Sequence, residues 1–379
     1  MMNRVLCLLV TTVMTGQMLF AQSVDDGRKF LYYERFKSAK ETFEKVLQKE
    51  PNNVAAIYWL GQTLLNMKDT AGAKDLYQKS LASNNNAPLL LVGNGEIMLM
   101  EGKKDEARQQ FETAINMTKG KDVDILNAIG LANVDAKQGD ATYAIEKLKQ
   151  ATETKKFKNA DTYLIMGKAY RKLIDGGSAV TSYNKALELD GKLAAAKNGI
   201  GKIYETQKNP TYYLKAYEEA VQLDTAYAPA YFNLFYHYYF RDVNKAGEYL
   251  NHYVANSDQG PETEYIKTDY TYAKGDFAGA KARAQQLIQQ YGEEVNPRMY
   301  RMIAYTSDTL GDANAAKEAM TTFLQKADTS DILPTDYEEL AKIDSKIPGM
   351  EQEVINNYKL AIAKDTSMEN KVKLIENAA

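Results

Sequence analysis

Gly27, Gly61 and Gly95 stand 34 residues apart, and Ala39, Ala73 and Ala107 each follow their glycine by twelve. Gly167 and Gly201 resume the phase, again with Ala179 twelve residues after Gly167. A period of this size belongs to a stacked repeat, in which each unit buries its apolar face only against its neighbours. The 379 residues therefore need not divide into two or three globular domains, because the core grows lengthwise. Within one period, Ile57, Leu60, Gly61 and Leu64 form an apolar stripe at helical spacing. A turn at Lys68-Asp69 follows, and Ala73, Tyr77 and Leu81 mark a facing helix. Small residues at 61 and 73 let the two axes approach, and Tyr77 fills the gap beside them. Gly102, Gly139, Gly275 and Gly311 each fall five residues before the small residue of a second helix, where a left-handed backbone favours glycine.

The pattern resembles the tetratricopeptide repeat family: a Leu-Gly pair, an aromatic three residues on, then Ala, an aromatic four later and a closing Pro. The first unit has Gly27, Phe30, Ala39, Phe43 and Pro51; the third has Gly95, Ala107, Phe111 and Ala114. The fifth has Gly167, Tyr170, Ala179, Tyr183 and Ala186, and the sixth keeps Gly201, Tyr204, Tyr217 and Ala220 with Tyr213 in place of the alanine. In the fourth unit Ala144, Leu148 and Ala151 arrive two residues late after Gly130, which predicts a longer turn or a shifted first helix. Later units are carried by their second helices, at Ala246 and Leu250, Ala280 to Leu287, Ala316 to Phe323 and Val354 to Ala361. The resemblance implies an all-α chain, a right-handed superhelical solenoid of about ten antiparallel helix pairs. Repeats one to seven are expected over 22–255, degenerate repeats eight to ten over 256–366, and a capping helix over 367–379. The Asn256–Pro261 stretch is the candidate hinge.

The N-terminus reads as a leader. Met1–Arg4 is a short basic region, Val5–Phe20 is apolar, and Ala21-Gln22 is a plausible cleavage site. The sixteen apolar residues, interrupted by Thr11, Thr12, Thr15 and Gln17, are short for a bilayer span. The single cysteine, Cys7, lies inside this leader, so the mature chain is expected to carry no thiol, to be exported, and to reside in a bacterial periplasm.

Chemistry is sparsely supplied. His237 and His252 are the only histidines, fifteen residues apart and without an adjacent ligand cluster. The Gly93-Asn-Gly95 and Gly199-Ile-Gly201 fragments fall inside predicted helices, with no preceding strand and no Gly-Lys-Ser/Thr, so they read as packing glycines. Adjacent acids such as Glu218-Glu219 do not face one another on a helix. No catalytic, cofactor or metal site is expected. The net charge of −3, with both signs mixed along the chain, argues against a nucleic-acid groove.

The resemblance places residues three before, one after and four after the first-helix glycine on the concave groove. In the front units these are mixed, as with Tyr58, Gln62 and Leu65. In the middle they become basic and polar, at Lys168, Arg171, Asn198 and Lys202; towards the rear they become aromatic, at Phe232, Tyr236, Tyr239, Tyr265 and Tyr272, with Arg301 and Tyr305 continuing the line. Cations beside tyrosines offer charge-assisted bonds to a carboxylate and rings for apolar side chains. Equally, the ring-rich run Ala230–Phe240 surrounds its helix, so Tyr236 and Tyr239 form either a ligand site or contacts to the next turn of the solenoid. The family's carboxylate clamp is not reproduced, since Asn198 stands where lysine is usual. The expected function is a non-catalytic periplasmic scaffold that holds a peptide segment or protein partner, in envelope assembly or maintenance. A glycan-binding repeat protein and a self-associating structural component are the alternatives.

Overall fold

The computed structural model describes residues 23–83 and 87–378. The expected leader, its cleavage site and Cys7 lie outside these residues. Every regular element among them is helical. The first compact unit, over 23–154, holds four pairs: α1 (Val24–Tyr32) with α2 (Phe36–Lys49), α3 (Val54–Asn66) with α4 (Thr70–Ser83), α5 (Pro88–Met100) with α6 (Lys104–Met117), and α7 (Val123–Asp135) with α8 (Ala141–Thr152). The second, over 155–378, holds α9 (Ala160–Lys172) with α10 (Gly176–Leu189), α11 (Ala194–Thr206) with α12 (Pro210–Leu223), and α13 (Ala228–Tyr238) with α14 (Val243–Asn256). It continues with α15 (Pro261–Ala273) and α16 (Phe277–Tyr291), α17 (Arg298–Thr309) and α18 (Ala313–Lys326), α19 (Pro334–Asp344) and α20 (Glu351–Lys364), and ends in α21 (Met368–Ala378). Within each unit every helix packs on its pair partner and successive pairs pack on one another, the contact pattern of a solenoid. The candidate hinge at 256–261 falls inside the second unit, between α14 and α15.

Glycine and aromatic residues set the spacing. The Tyr77 ring lies between Gly61 of α3 and Gly93 of α5, and a methyl group at either glycine would enter the ring. Tyr183 sits in the same way between Gly167 and Gly199, while Phe43, Phe111 and Tyr217 cover Gly27, Gly95 and Gly201. One ring from a second helix thus separates two successive first helices, and ring size fixes the repeat distance. The glycines stop at α13, where buried Phe235 stands in the same phase. The small residue has moved to the second helix, with Gly247 of α14 lying against Tyr270 of α15.

The turns within pairs obey one rule with two exceptions, the α7–α8 turn and the α13–α14 turn, where Arg241 is not left-handed. Left-handed residues occur at Gly102, Gly275 and Gly311, as their spacing predicts, and also at Glu34, Lys68, Ile174 and Lys208, the same place in their own pairs. Gly139 breaks the rule. Its φ is not left-handed; it is glycine because a Cβ would strike the Asn133 backbone. The α7–α8 turn runs over 136–140 where the α3–α4 turn runs over 67–69, which accounts for the late arrival of Ala144 by a longer turn. Asn133 organises that turn by accepting the Asp140 N–H at 3.1 Å and donating to the Ile129 carbonyl at 2.9 Å.

Burial in the first unit includes a carboxyl group. Glu96 of α5 is 1% exposed and bonded to Gln62, one repeat earlier on α3. The Tyr58 and Tyr77 rings and Asp135 of α7 surround it, and desolvation pushes its pKa up to about 8 against the Gln62 hydrogen bond, with Asp135 adding to the rise. The folded chain therefore holds a proton that the unfolded chain has released between about pH 4.5 and pH 8. Its stabilising effect is complete below about pH 4.5, declines progressively as the pH rises and is gone above about 8. Thermal melting should fall steadily from pH 5 to about pH 8 and then level off in the native chain, and fall less in Glu96→Gln, which keeps a neutral hydrogen-bonding group throughout. Parallel pH profiles for the two proteins would show that Glu96 is ionised when folded.

Candidate interaction surface

The first helices of the second unit, α9, α11, α13, α15, α17 and α19, carry the sequence-derived residues in chain order. They do not remain equally available. Lys168 and Arg171 stay at the surface of α9, Lys168 half-buried and Arg171 exposed, and neither is in a salt bridge among the described residues. Lys202 on α11 is half-buried and already engaged. Asn198 is buried, and its Oδ1 accepts from Asn233 Nδ2 at 2.7 Å.

The aromatic stretch is wired into its neighbours. The Tyr236 hydroxyl donates to Asp269 Oδ2 at 2.8 Å and accepts from Arg298 at 3.1 Å, and Arg298 is itself bonded to the same carboxylate oxygen. Tyr239 donates to the Asp269 carbonyl at 2.7 Å. Phe232 packs edge-on to Tyr236 with ring centres 4.7 Å apart. Burial raises the pKa of Tyr236 despite the opposing Arg298 charge, and burial raises that of Tyr239 as well, so both hydroxyls stay protonated donors. The sequence left a ligand site and solenoid contacts open for these two tyrosines. Their hydroxyls are occupied by the next two pairs.

Tyr265 leaves the candidate surface altogether. It is 1% exposed, packs against Ala280, Ala284 and Met299, and its hydroxyl accepts the Asn296 N–H at 2.9 Å. The reason is local: α15 has Thr268 where earlier first helices have glycine, so a ring from the first helix itself fills the space between pairs. Tyr272 is half-buried and stacked edge-on between Phe240 and Phe277, at 6.3 and 5.2 Å. Arg301 reaches both oxygens of Asp336 at 3.4 Å and lies 4.9 Å over the Phe323 ring, while Tyr305 bonds the same carboxylate at 3.3 Å. Asp336 is fully buried and also accepts the Leu333 N–H at 2.8 Å.

The partners Asn233, Arg298 and Asp336 are what the sequence reading missed. Their signal was present: bonded residues lie 35 apart in Asn198–Asn233, 33 in Tyr236–Asp269 and 35 in Arg301–Asp336. Complementary polar residues one repeat apart on first helices mark a bond between adjacent pairs. Gln62–Glu96, 34 apart, is the same device in the first unit.

Each unit is a paired-helix repeat array whose first-helix face is cross-linked by polar contacts. Residues 30–77 and 160–193 each match a tetratricopeptide repeat family model. These two stretches are tetratricopeptide repeats, and the repeats support a role as a protein–protein interaction scaffold. No curated protein matches it. Among solved structures it is similar to the yeast Tom70, with 14% identity, 93% of each chain covered and a TM-score of 0.47. It is also similar to the Cut9–Hcn1 hetero-tetramer of the APC/C, with 13% identity over 93% of this chain and 95% of that one and a TM-score of 0.48. A third likeness is a tetratricopeptide repeat protein from Parabacteroides merdae, with 13% identity over 76% and 96% of the two chains and a TM-score of 0.37.

Breaking one link isolates the structural role of the ladder. Asp269→Ala leaves Arg298 and Tyr236 without their shared acceptor, and losing one partner of a largely buried ion pair costs about 3–5 kcal/mol. Urea unfolding monitored by tyrosine emission should show that loss, with Tyr236→Phe costing only about 1 kcal/mol. Equal small effects would mean that solvent replaces the link.

Proposed function

We propose that the chain is a non-catalytic periplasmic scaffold that holds a peptide segment or protein partner along the first-helix face of its second unit, in envelope assembly or maintenance. The observation that carries the reading is the contrast along this face. Lys168 and Arg171 lie at the surface of α9 with no salt bridge among the described residues, whereas Tyr236, Tyr239, Tyr265 and Arg301 are fixed by their own polar partners. A rigid aromatic wall next to a cluster of cations suits an extended segment whose carboxylates meet α9 and α11 while its apolar side chains lie on Phe232. Rigidity favours binding here, because ordering the wall costs nothing further when the partner arrives.

Capture from an envelope extract, using the chain from Gln22 onward, tests this. A triple variant, Lys168→Glu, Arg171→Glu and Lys202→Glu, should lose more than about tenfold in affinity for the captured partner, since charge-assisted bonds are worth about 1.5–3 kcal/mol each. Its melting temperature should stay close to that of the native chain. Undiminished capture by the folded variant would remove the cationic cluster from the mechanism. Elution by oligosaccharide would replace the peptide reading with a glycan one.

A further inference from the structure

The first unit buries a hydroxyl that its own packing leaves unused. Tyr58 of α3 is fully buried, and its hydroxyl has no hydrogen-bond partner among the described residues. A buried hydroxyl in that state is a cost to the fold. The ring is clamped: it stacks on Tyr77 with centres 6.4 Å apart and meets Trp59 edge-on at 5.0 Å. The Tyr77 hydroxyl also donates to the Tyr58 carbonyl at 2.8 Å. Tyr58 is therefore not placed to seek an acceptor, and an acceptor has to come to it.

Glu96 of α5 is the group that can. Its carboxyl is buried against α3, where Gln62 Nε2 donates to Oε2, and Oε1 is left to carry the proton of the neutral form. Gln62 is itself held in place, with Nε2 3.4 Å from the Tyr77 hydroxyl and its backbone carbonyl accepting from Asn66 at 2.8 Å. Of all the charges near the Tyr58 hydroxyl, that of Glu96 acts on it most strongly, so the two groups are neighbours. No hydrogen bond joins them in this structure.

The other ionisable groups that face the pair come from three further helices. Tyr77 of α4 is buried, and burial keeps its hydroxyl protonated. Asp135, exposed at the end of α7, opposes a negative charge on Glu96. Arg28 of α1 lies 5.0 Å over the Trp59 ring and acts on Tyr58. Among these groups none places a cation on the Glu96 carboxyl, so its negative form depends on neutral donors.

We propose that Tyr58 and Glu96 form a proton-controlled latch between α3 and α5. The neutral carboxyl bonds Gln62 alone and leaves the Tyr58 hydroxyl idle. Loss of its proton to water makes a carboxylate that keeps Gln62 and takes the Tyr58 hydroxyl as a second donor. Glu96 reaches it by rotating its own side chain, since the Tyr58 ring is fixed between Tyr77 and Trp59. One neutral hydrogen bond is exchanged for two charge-assisted ones, which tightens the α3–α5 link and offsets part of the cost of the buried charge. The latch lies wholly in the first unit and does not depend on the partner-binding reading.

Trp59 is the single tryptophan of the chain and touches Tyr58, so its emission reports on the latch. Titration of the native chain from pH 6 to pH 10 should show a transition in tryptophan emission near pH 8 that is absent in Glu96→Gln. Tyr58→Phe keeps the ring and its contact with Trp59 but removes a donor to the carboxylate. Its transition should move up by about one pH unit or more. The same variant should melt higher than the native chain at pH 6, where the deleted hydroxyl had no partner. Native emission that stays flat over this range overturns the proposal, and so does a Tyr58→Phe transition at the native midpoint. Melting of Tyr58→Phe below the native chain at pH 6 overturns it as well, because the hydroxyl would then be engaged while Glu96 is neutral.

Discussion

The array depends on a ring held between two glycines. Tyr77 between Gly61 and Gly93, and Tyr183 between Gly167 and Gly199, place the side chain of one second helix in the space between two successive first helices. Both neighbours must lack a Cβ for this, so the contact dictates residue type in two consecutive repeats at once. Ring thickness then becomes a repeat distance, and the 34-residue period in the sequence is its trace. Where the glycines end, at Phe235 and Thr268, rings come instead from the first helices, as with buried Tyr265. The rear of the chain solves the same packing problem with the small and large residues exchanged.

Polar contacts follow from that spacing. Once apolar packing fixes each first helix one repeat from the next, equivalent positions face each other at hydrogen-bonding distance. Gln62–Glu96, Asn198–Asn233, Tyr236–Asp269 and Arg301–Asp336 occupy this relation. Buried polar groups cost stability unless they are bonded, so these links oppose any slip in the register between adjacent pairs. They also settle which part of the face a partner can use. A tyrosine hydroxyl already shared between Asp269 and Arg298 offers a partner its ring and not its hydrogen bond.

Legibility in the sequence tracked the range of the interaction. The helix pairs, the glycine and aromatic phase, the left-handed glycines at 102, 275 and 311 and the late fourth unit rest on residues close in the chain, and all could be read there. Gly139 was misread because its role is close approach to the Asn133 backbone, a constraint that leaves no mark distinct from a turn glycine. Tyr265 was misread because a ring on a ring-rich helix carries no sign of which face it takes. The partners of Tyr236 lie 33 and 62 residues away, and only the first separation matches one repeat. Arg298 bridges to the second pair along, beyond what a nearest-neighbour pattern can reveal.

The same logic separates one strained residue from the packed ones. Glycines between first helices and aromatic rings, and the aspartates at helix N-termini, all have a use within the fold, since removing them would leave a clash or an unsatisfied N–H. Ile174 has none. Its side chain touches solvent, its backbone occupies a region that costs a β-branched residue stability, and glycine serves the identical turn in three other pairs. A fold selected for stability alone would place glycine or lysine at 174. Leu173 beside it and Phe240 two turns along share its exposure, so apolar exposure recurs along these turns and is not an accident at one of them.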